Sequence, residues 1–132
     1  IAICLLTGYV WLGISGLSAM WFGGVPVGPQ YDATLHAFFL GFVFAMIFAH
    51  APIIFPAVLG ARMAYRPLFY AHVALLQVTL VARVIGDVSG WGAGRQVGGL
   101  LNAVTLLLFL VNTVSALQSP PERAGTTQAR PL

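Results

Sequence analysis

Four long apolar runs, separated by short clusters of Gly, Pro and Arg, set the rhythm of this chain. They cover about 1–22, 33–61, 67–86 and 96–117. Each is close to the ~20 residues a helix needs to cross ~30 Å of hydrocarbon. The runs are continuous and not alternating, which excludes a porin-like barrel. Their ends have local causes. Gly23, Gly24, Pro26 and Pro29 close the first run. Asp32 can cap the second helix, with its carboxylate at the positive end of the dipole. Pro67 fits the first turn of the third, where its missing N–H costs nothing. Gly90, Gly92, Gly94, Gly98 and Gly99 read as a loose connection before the fourth. No strand precedes these glycines, so they are no dinucleotide fingerprint.

The pattern predicts an all-α, integral membrane fold: an antiparallel bundle of four transmembrane helices in a domain 1–118, followed by a polar tail 119–132. Ile1 already lies inside an apolar run, with no Met and no basic leader. The expectation is the C-terminal part of a longer helical membrane protein. Its expected partners are the lipid bilayer and the missing N-terminal helices or other membrane subunits.

Composition agrees. The 132 residues are 59% hydrophobic and 7% charged, with a mean hydropathy of +0.92. A soluble domain carries about 25% charged residues. A soluble enzyme, a disordered tail and a nucleic-acid reader are therefore excluded. The net charge of +3 comes from six Arg, with no Lys, against Asp32, Asp87 and Glu122. Arg62, Arg66, Arg123 and Arg130 fall on one side of the predicted bundle, against Arg95 and Arg83 on the other. By the positive-inside rule, loop 61–67 and the C-terminus face the cytoplasm. The expected location is a bacterial inner membrane. The lone Cys4 makes neither a disulfide nor a metal framework.

Ionisable groups inside a membrane are costly and mark candidate sites. His36 and His50 lie on the second run, fourteen residues apart, which is about −40° around an uninterrupted α-helix. Gly41, Ala45 and Ala49 form a small-residue stripe on the opposite side. The third run carries His72, Thr79 and Arg83, and Asp87 follows Arg83 at i+4. Antiparallel helices then give two polar layers, His50 with His72 and His36 with Arg83 and Asp87. Pro52 and Pro56 predict a kink beside His50.

Two imidazoles at one depth on adjacent helices can ligate haem iron or copper. His36, His50 and His72 are the candidate ligands, and Arg83, Arg62 or Arg66 can meet propionates. Hydrogen bonds between helices are the competing role for each His. A dihaem pattern needs a second His fourteen residues after His72, and position 86 is Gly. Asn102, Thr105, Asn112 and Thr113 share about 100° of arc on the fourth run and suit hydrogen bonds between helices.

The stretch 32–60 resembles the NnrS family, polytopic membrane proteins that hold haem and copper and are linked to nitric oxide stress. The residues that carry the likeness are His36, Gly41, Phe42, Pro56 and Gly60. Where the family has a second His, this chain has Phe38. A weaker similarity is to the His-bearing helices of haem–copper oxidase subunit I. The resemblance implies haem and/or copper as cofactor and a role in nitric oxide response or respiratory metabolism. The alternative is a transporter or structural subunit, with His and Arg lining a polar path and no redox cofactor. No catalytic nucleophile or carboxylate pair identifies a reaction.

The topology is testable by cysteine labelling. In a Cys4→Ala background, Arg62→Cys and Arg95→Cys are expected to react from opposite faces of the membrane, and labelling from one face would exclude the four-span order.

Overall fold

A computed structural model describes residues 2–24, 26–60 and 68–118. Arg62, Arg66, Pro67 and the tail 119–132, with Glu122, Arg123 and Arg130, lie outside the described residues. The elements are α1 (Ala2–Trp21), α2 (Pro29–His36), a π-helical segment (Ala37–Val43), α3 (Phe44–Leu59), α4 (Leu68–Ser89) and α5 (Gly92–Gln118). The π segment joins α2 to α3 in one column, Pro29–Leu59. The described residues thus form an all-helical bundle of four columns, each long and apolar enough to cross a membrane.

Side-chain contacts set the antiparallel order. Trp11 of α1 lies against Gly41, and Ser15 Oγ donates to the Thr34 carbonyl at 3.0 Å. Phe48 of α3 meets His72 of α4 edge-on, with ring centroids 5.0 Å apart. Thr79 of α4 donates to Asn102 Oδ1 of α5 at 2.6 Å. One end of the bundle therefore gathers the end of α1, the start of α2, the end of α4 and the start of α5.

The second column departs from a plain α-helix. Within the π segment's C-cap, the Phe44 N–H donates to the Phe39 carbonyl, five residues back. A π turn holds one more residue than an α turn. The row Ala33, Ala37, Gly41, Ala45 and Ala49 shows why this matters, because all five are buried. A spacing of four drifts about 40° per step in an α-helix, or about 160° over the row. The extra residue of the π segment takes back about 100° and leaves the row on one side. Small side chains are needed there because α1 is close. A Cβ on Gly41 would fall inside the indole of Trp11, whose Nε1 donates to Gln77 Oε1 of α4 at 2.6 Å.

α3 runs on through Pro52 and Pro56 to Gly60, which ends it in the left-handed conformation. A further irregularity, the π segment, lies upstream of His50. At the other end, Gly28 (φ 107°) precedes the first turn of α2 and Pro29 opens it. Asp32 does not cap this helix. No side chain caps it, and the Asp32 carboxylate is turned toward arginines of α4 and α5.

The α4–α5 connection is tight. α5 starts at Gly92, and the reversal is made around Gly90 with φ 72°. Of the glycines expected to loosen this stretch, Gly94, Gly98 and Gly99 are packing positions, while Gly90 and Gly92 face open space. A Cβ on Gly98 would lie 2.8 Å from the Arg83 nitrogen, and one on Gly86 would strike the start of α5 at Arg95. Small residues let two helix backbones meet, which is how helices associate without a hydrophobic drive between them. The α5 seam repeats at three and four residues: Gly98, Asn102, Thr105, Phe109, Asn112 and Ala116, all buried. That 3.5-residue spacing is the left-handed coiled-coil pattern, here with polar groups at half the knobs. Leu76 and Leu80 of α4 are fully buried beside it.

Overpacking at Gly41 is the direct test of the close α1 contact. Gly41→Val is expected to cost about 1–3 kcal/mol, read as a lower unfolding temperature in detergent. Gly16→Ala, where a Cβ meets nothing within 4 Å, serves as the control and is expected to stay within about 0.5 kcal/mol.

Candidate functional site

The end of the bundle that gathers α2, α4 and α5 carries a closed ring of charges. Among the described residues, the formally charged side chains are Asp32, Arg83, Asp87 and Arg95, and all four meet there. Arg95 Nη2 lies 2.6 Å from Asp32 Oδ2, and its Nε lies 3.1 Å from Asp87 Oδ1. Arg83 Nε lies 3.1 Å from Asp87 Oδ2, and its Nη2 lies 3.7 Å from Asp32 Oδ2. Each guanidinium thus bridges both carboxylates, and the ring is neutral as a whole. Arg83 Nη1 also donates to the Arg95 carbonyl at 2.6 Å, which ties the last turns of α4 to the first turn of α5.

The ring is graded in exposure. The Asp87 side chain is 0% exposed and Arg83 is 13% exposed, while Asp32 and Arg95 are at 34% and 39%. The contacts to Asp87 have hydrogen-bond length but not hydrogen-bond alignment. Its carboxylate is held by charge, with two cations and no linear donor. Such a group is stable only while its cations stay, since an unpaired buried charge costs several kcal/mol.

His36 lies one turn along α2 from Asp32, with its Nδ1 2.7 Å from the Asp32 carbonyl. Arg83 takes the expected i+4 pairing with Asp87. Asp32 and Arg95 complete the ring. The local pattern points to a cap for Asp32 and a loop for Arg95, because nothing local in the chain shows that position 32 meets position 95. Arg83, also considered as a propionate partner, is engaged in this ring.

The other candidate layer is not brought together. His72 is buried, edge-on to Phe48 and to Phe109, with centroids 5.0 and 5.2 Å away. His50 is exposed, and its Nδ1 lies 2.7 Å from the Met46 carbonyl of its own helix. Phe48 and His50 are two residues apart, about 200° around the helix. When Phe48 faces α4, His50 must face away. The π segment has a parallel effect on His36 and His50. It turns their separation from about −40° to about −140°, so they leave the common face. Among the described residues no group of three or more His, Cys, Asp or Glu is placed to hold a metal ion.

The His36 and His50 rings share one feature. His36 Nδ1 lies 2.7 Å from the Asp32 carbonyl, as His50 Nδ1 does from that of Met46. A carbonyl only accepts, so each ring carries its N–H at Nδ1 and, when neutral, offers the lone pair of Nε2.

Asn102, Thr105, Asn112 and Thr113 of α5 are all buried, as their shared arc predicts. Thr79 and Asn102 bond across the helices. Thr105 returns its hydroxyl to the Leu101 carbonyl. Among the described residues, the side-chain nitrogens of Asn102 and Asn112 and the hydroxyl of Thr113 are buried without a hydrogen-bond partner.

Residues 1–118 match the family model described as Domain of unknown function (DUF8744), and the chain belongs to that family. No curated protein matches it, and no solved structure does.

The ring makes a stability prediction. Arg83→Met leaves Asp87 buried with one cation in place of two, and an expected loss of about 3–5 kcal/mol follows for a broken buried pair. Arg83→Met combined with Asp87→Leu removes both members and is expected to recover most of that loss, as measured by denaturant titration in micelles.

Proposed function

We propose that this member of the DUF8744 family is an integral membrane protein that ligates haem iron or copper through His50. The observation that carries the reading is the His50 ring itself. It is exposed on an apolar column, its Nδ1 is tied to a backbone carbonyl, and its Nε2 is left to accept a ligand. Metal-ligating histidines commonly hold their other ring nitrogen in this way, which fixes the tautomer and raises ligand basicity. An imidazole on the outside of a membrane span is costly unless it meets a partner.

The single imidazole of His50 would supply one nitrogen donor to haem iron or to copper. Ile47, Ile53 and Ile54 are exposed around it and offer the apolar flank that a macrocycle packs against. A further ligand then comes from outside the described residues. When bound, such a group supplies redox and gas-binding chemistry. His50 would ligate it and Ile47, Ile53 and Ile54 would shield one side from water. The NnrS-like stretch supports a place in nitric oxide response or respiratory metabolism, at a bacterial inner membrane with the C-terminus cytoplasmic.

A second reading, a membrane subunit with no redox cofactor, is favoured by the charge ring. Its two arginines and two aspartates neutralise one another and hold helices, with no charge left over for a ligand.

Purified wild-type protein, His50→Ala and His72→Ala are compared by visible spectra and metal analysis. The expected outcome is a haem band or bound copper in wild type, at least tenfold reduced in His50→Ala and retained in His72→Ala. Undiminished occupancy in His50→Ala would remove His50 from the site. Wild type with neither haem nor copper would favour the second reading.

A further inference from the structure

The short helix α2 is held differently at its two ends and in its middle. It starts at Gly28 (φ 107°), after a turn in which Gly23 and Gly24 also have positive φ. It ends in the π segment, which carries one residue more than an α-helix of the same number of turns. Between these compliant ends, its only charged side chain, Asp32, reaches across to Arg95 and Arg83. Beneath the same contact lies Asp87, with no exposed side-chain surface.

The rotational phase of α2 depends on the π segment. Asp32 and Phe48 are sixteen residues apart. An uninterrupted α-helix would set them about 160° apart, on opposite sides of the column. With the extra residue they are about 60° apart, and both face the α4–α5 hairpin. Asp32 therefore reaches its arginines only while the segment is π. If the segment winds to α, α2 turns by about 100° and Asp32 leaves the ring. The ionic contacts of Asp32 oppose that winding, and the Trp11–Gly41 contact and the Ser15 bond to the Thr34 carbonyl act with them.

We propose that α2 is a rotating lid over Asp87, latched by Asp32 on Arg95 and Arg83 and hinged at the π segment. Release of the latch winds the segment toward α, carries α2 and its Asp32 aside and opens Asp87 to water. The groups that face the latch are Asp87, Arg83 and Arg95 from α4 and α5 and His36 from α2 itself. Without Asp32, the remaining ring holds two arginines against one aspartate. The opened lid therefore leaves this end of the bundle net positive where the closed one is neutral. This inference does not depend on His50 or on any cofactor.

The test uses spin labels on the full chain in lipid nanodiscs, at Tyr31→Cys on α2 and Ser89→Cys on α4, with Cys4→Ala. Both labelled positions are exposed. The wild-type latch is expected to give one narrow distance. Asp32→Asn is expected to add a second population displaced by about 8 Å, the chord of a ~100° turn at a helix radius of ~5 Å. Arg95→Gln releases the latch from the other side and is expected to give the same second population, so a failure of either variant to fold leaves a test in hand. Deletion of Phe39, an exposed residue of the π segment, removes the extra residue. That deletion is expected to keep the single narrow distance even with Asp32→Asn, because α2 then stays in phase as an α-helix. An unchanged single distance in both latch variants would overturn the lid. A second population that persists in the Phe39 deletion would overturn the π hinge.

Discussion

Two arginines and two aspartates have to be neutralised at one end of an otherwise apolar bundle, and that requirement organises the rest. Asp87 has no exposed side-chain surface and sits between Arg83 and Arg95. The α4–α5 hairpin alone would carry one net positive charge at this point. Asp32 supplies the balance from the second column. The ionic contacts of α2 with the hairpin are thus set by a charge count, and a charge left over in an apolar setting is costly.

Close backbone approach is what makes the ring geometrically possible. Gly86 and Gly98 bring α4 and α5 near enough for Arg83 to bond the Arg95 carbonyl directly. Gly41 lets α1 seat Trp11 against the π segment, and Trp11 in turn reaches Gln77 of α4. The Thr79–Asn102 bond continues the seam inward, and such bonds between apolar helices are worth about 0.6 kcal/mol each. Below it, Leu76, Phe48 and Phe109 form an apolar layer around the His72 ring. The polar groups are therefore concentrated at one end and on one seam.

The three histidines illustrate how placement changes chemistry. His72 is enclosed by aromatic edges, His36 lies one turn along α2 from Asp32, and His50 faces outward. One residue type at similar hydropathy thus meets three environments. Their side chains point where helix phase sends them, and the phase of the second column is reset by about 100° at the π segment.

Much was legible in the chain alone. The number of helices and their antiparallel order follow from run length and short connections, because an apolar run of ~20 residues has few ways to satisfy its backbone away from water. The Arg83–Asp87 pair follows from i+4 spacing, and the burial of Asn102, Thr105, Asn112 and Thr113 from their shared arc. One signal was present but points past simple periodicity. Small residues at 33, 37, 41, 45 and 49 keep a spacing of four for too long to stay on one side of an α-helix, and only an extra residue in a turn straightens that row. Tertiary structure alone decided the partners of Asp32 and Arg95 and the separation of His50 from His72. The partners of Asp32 lie 51 and 63 residues away, and the two histidines are parted by rotation about helix axes; neither is encoded in a local pattern. The same holds for the glycines after position 90. Flexibility and close packing draw on the same residue, and only the neighbouring helix determines which of the two applies.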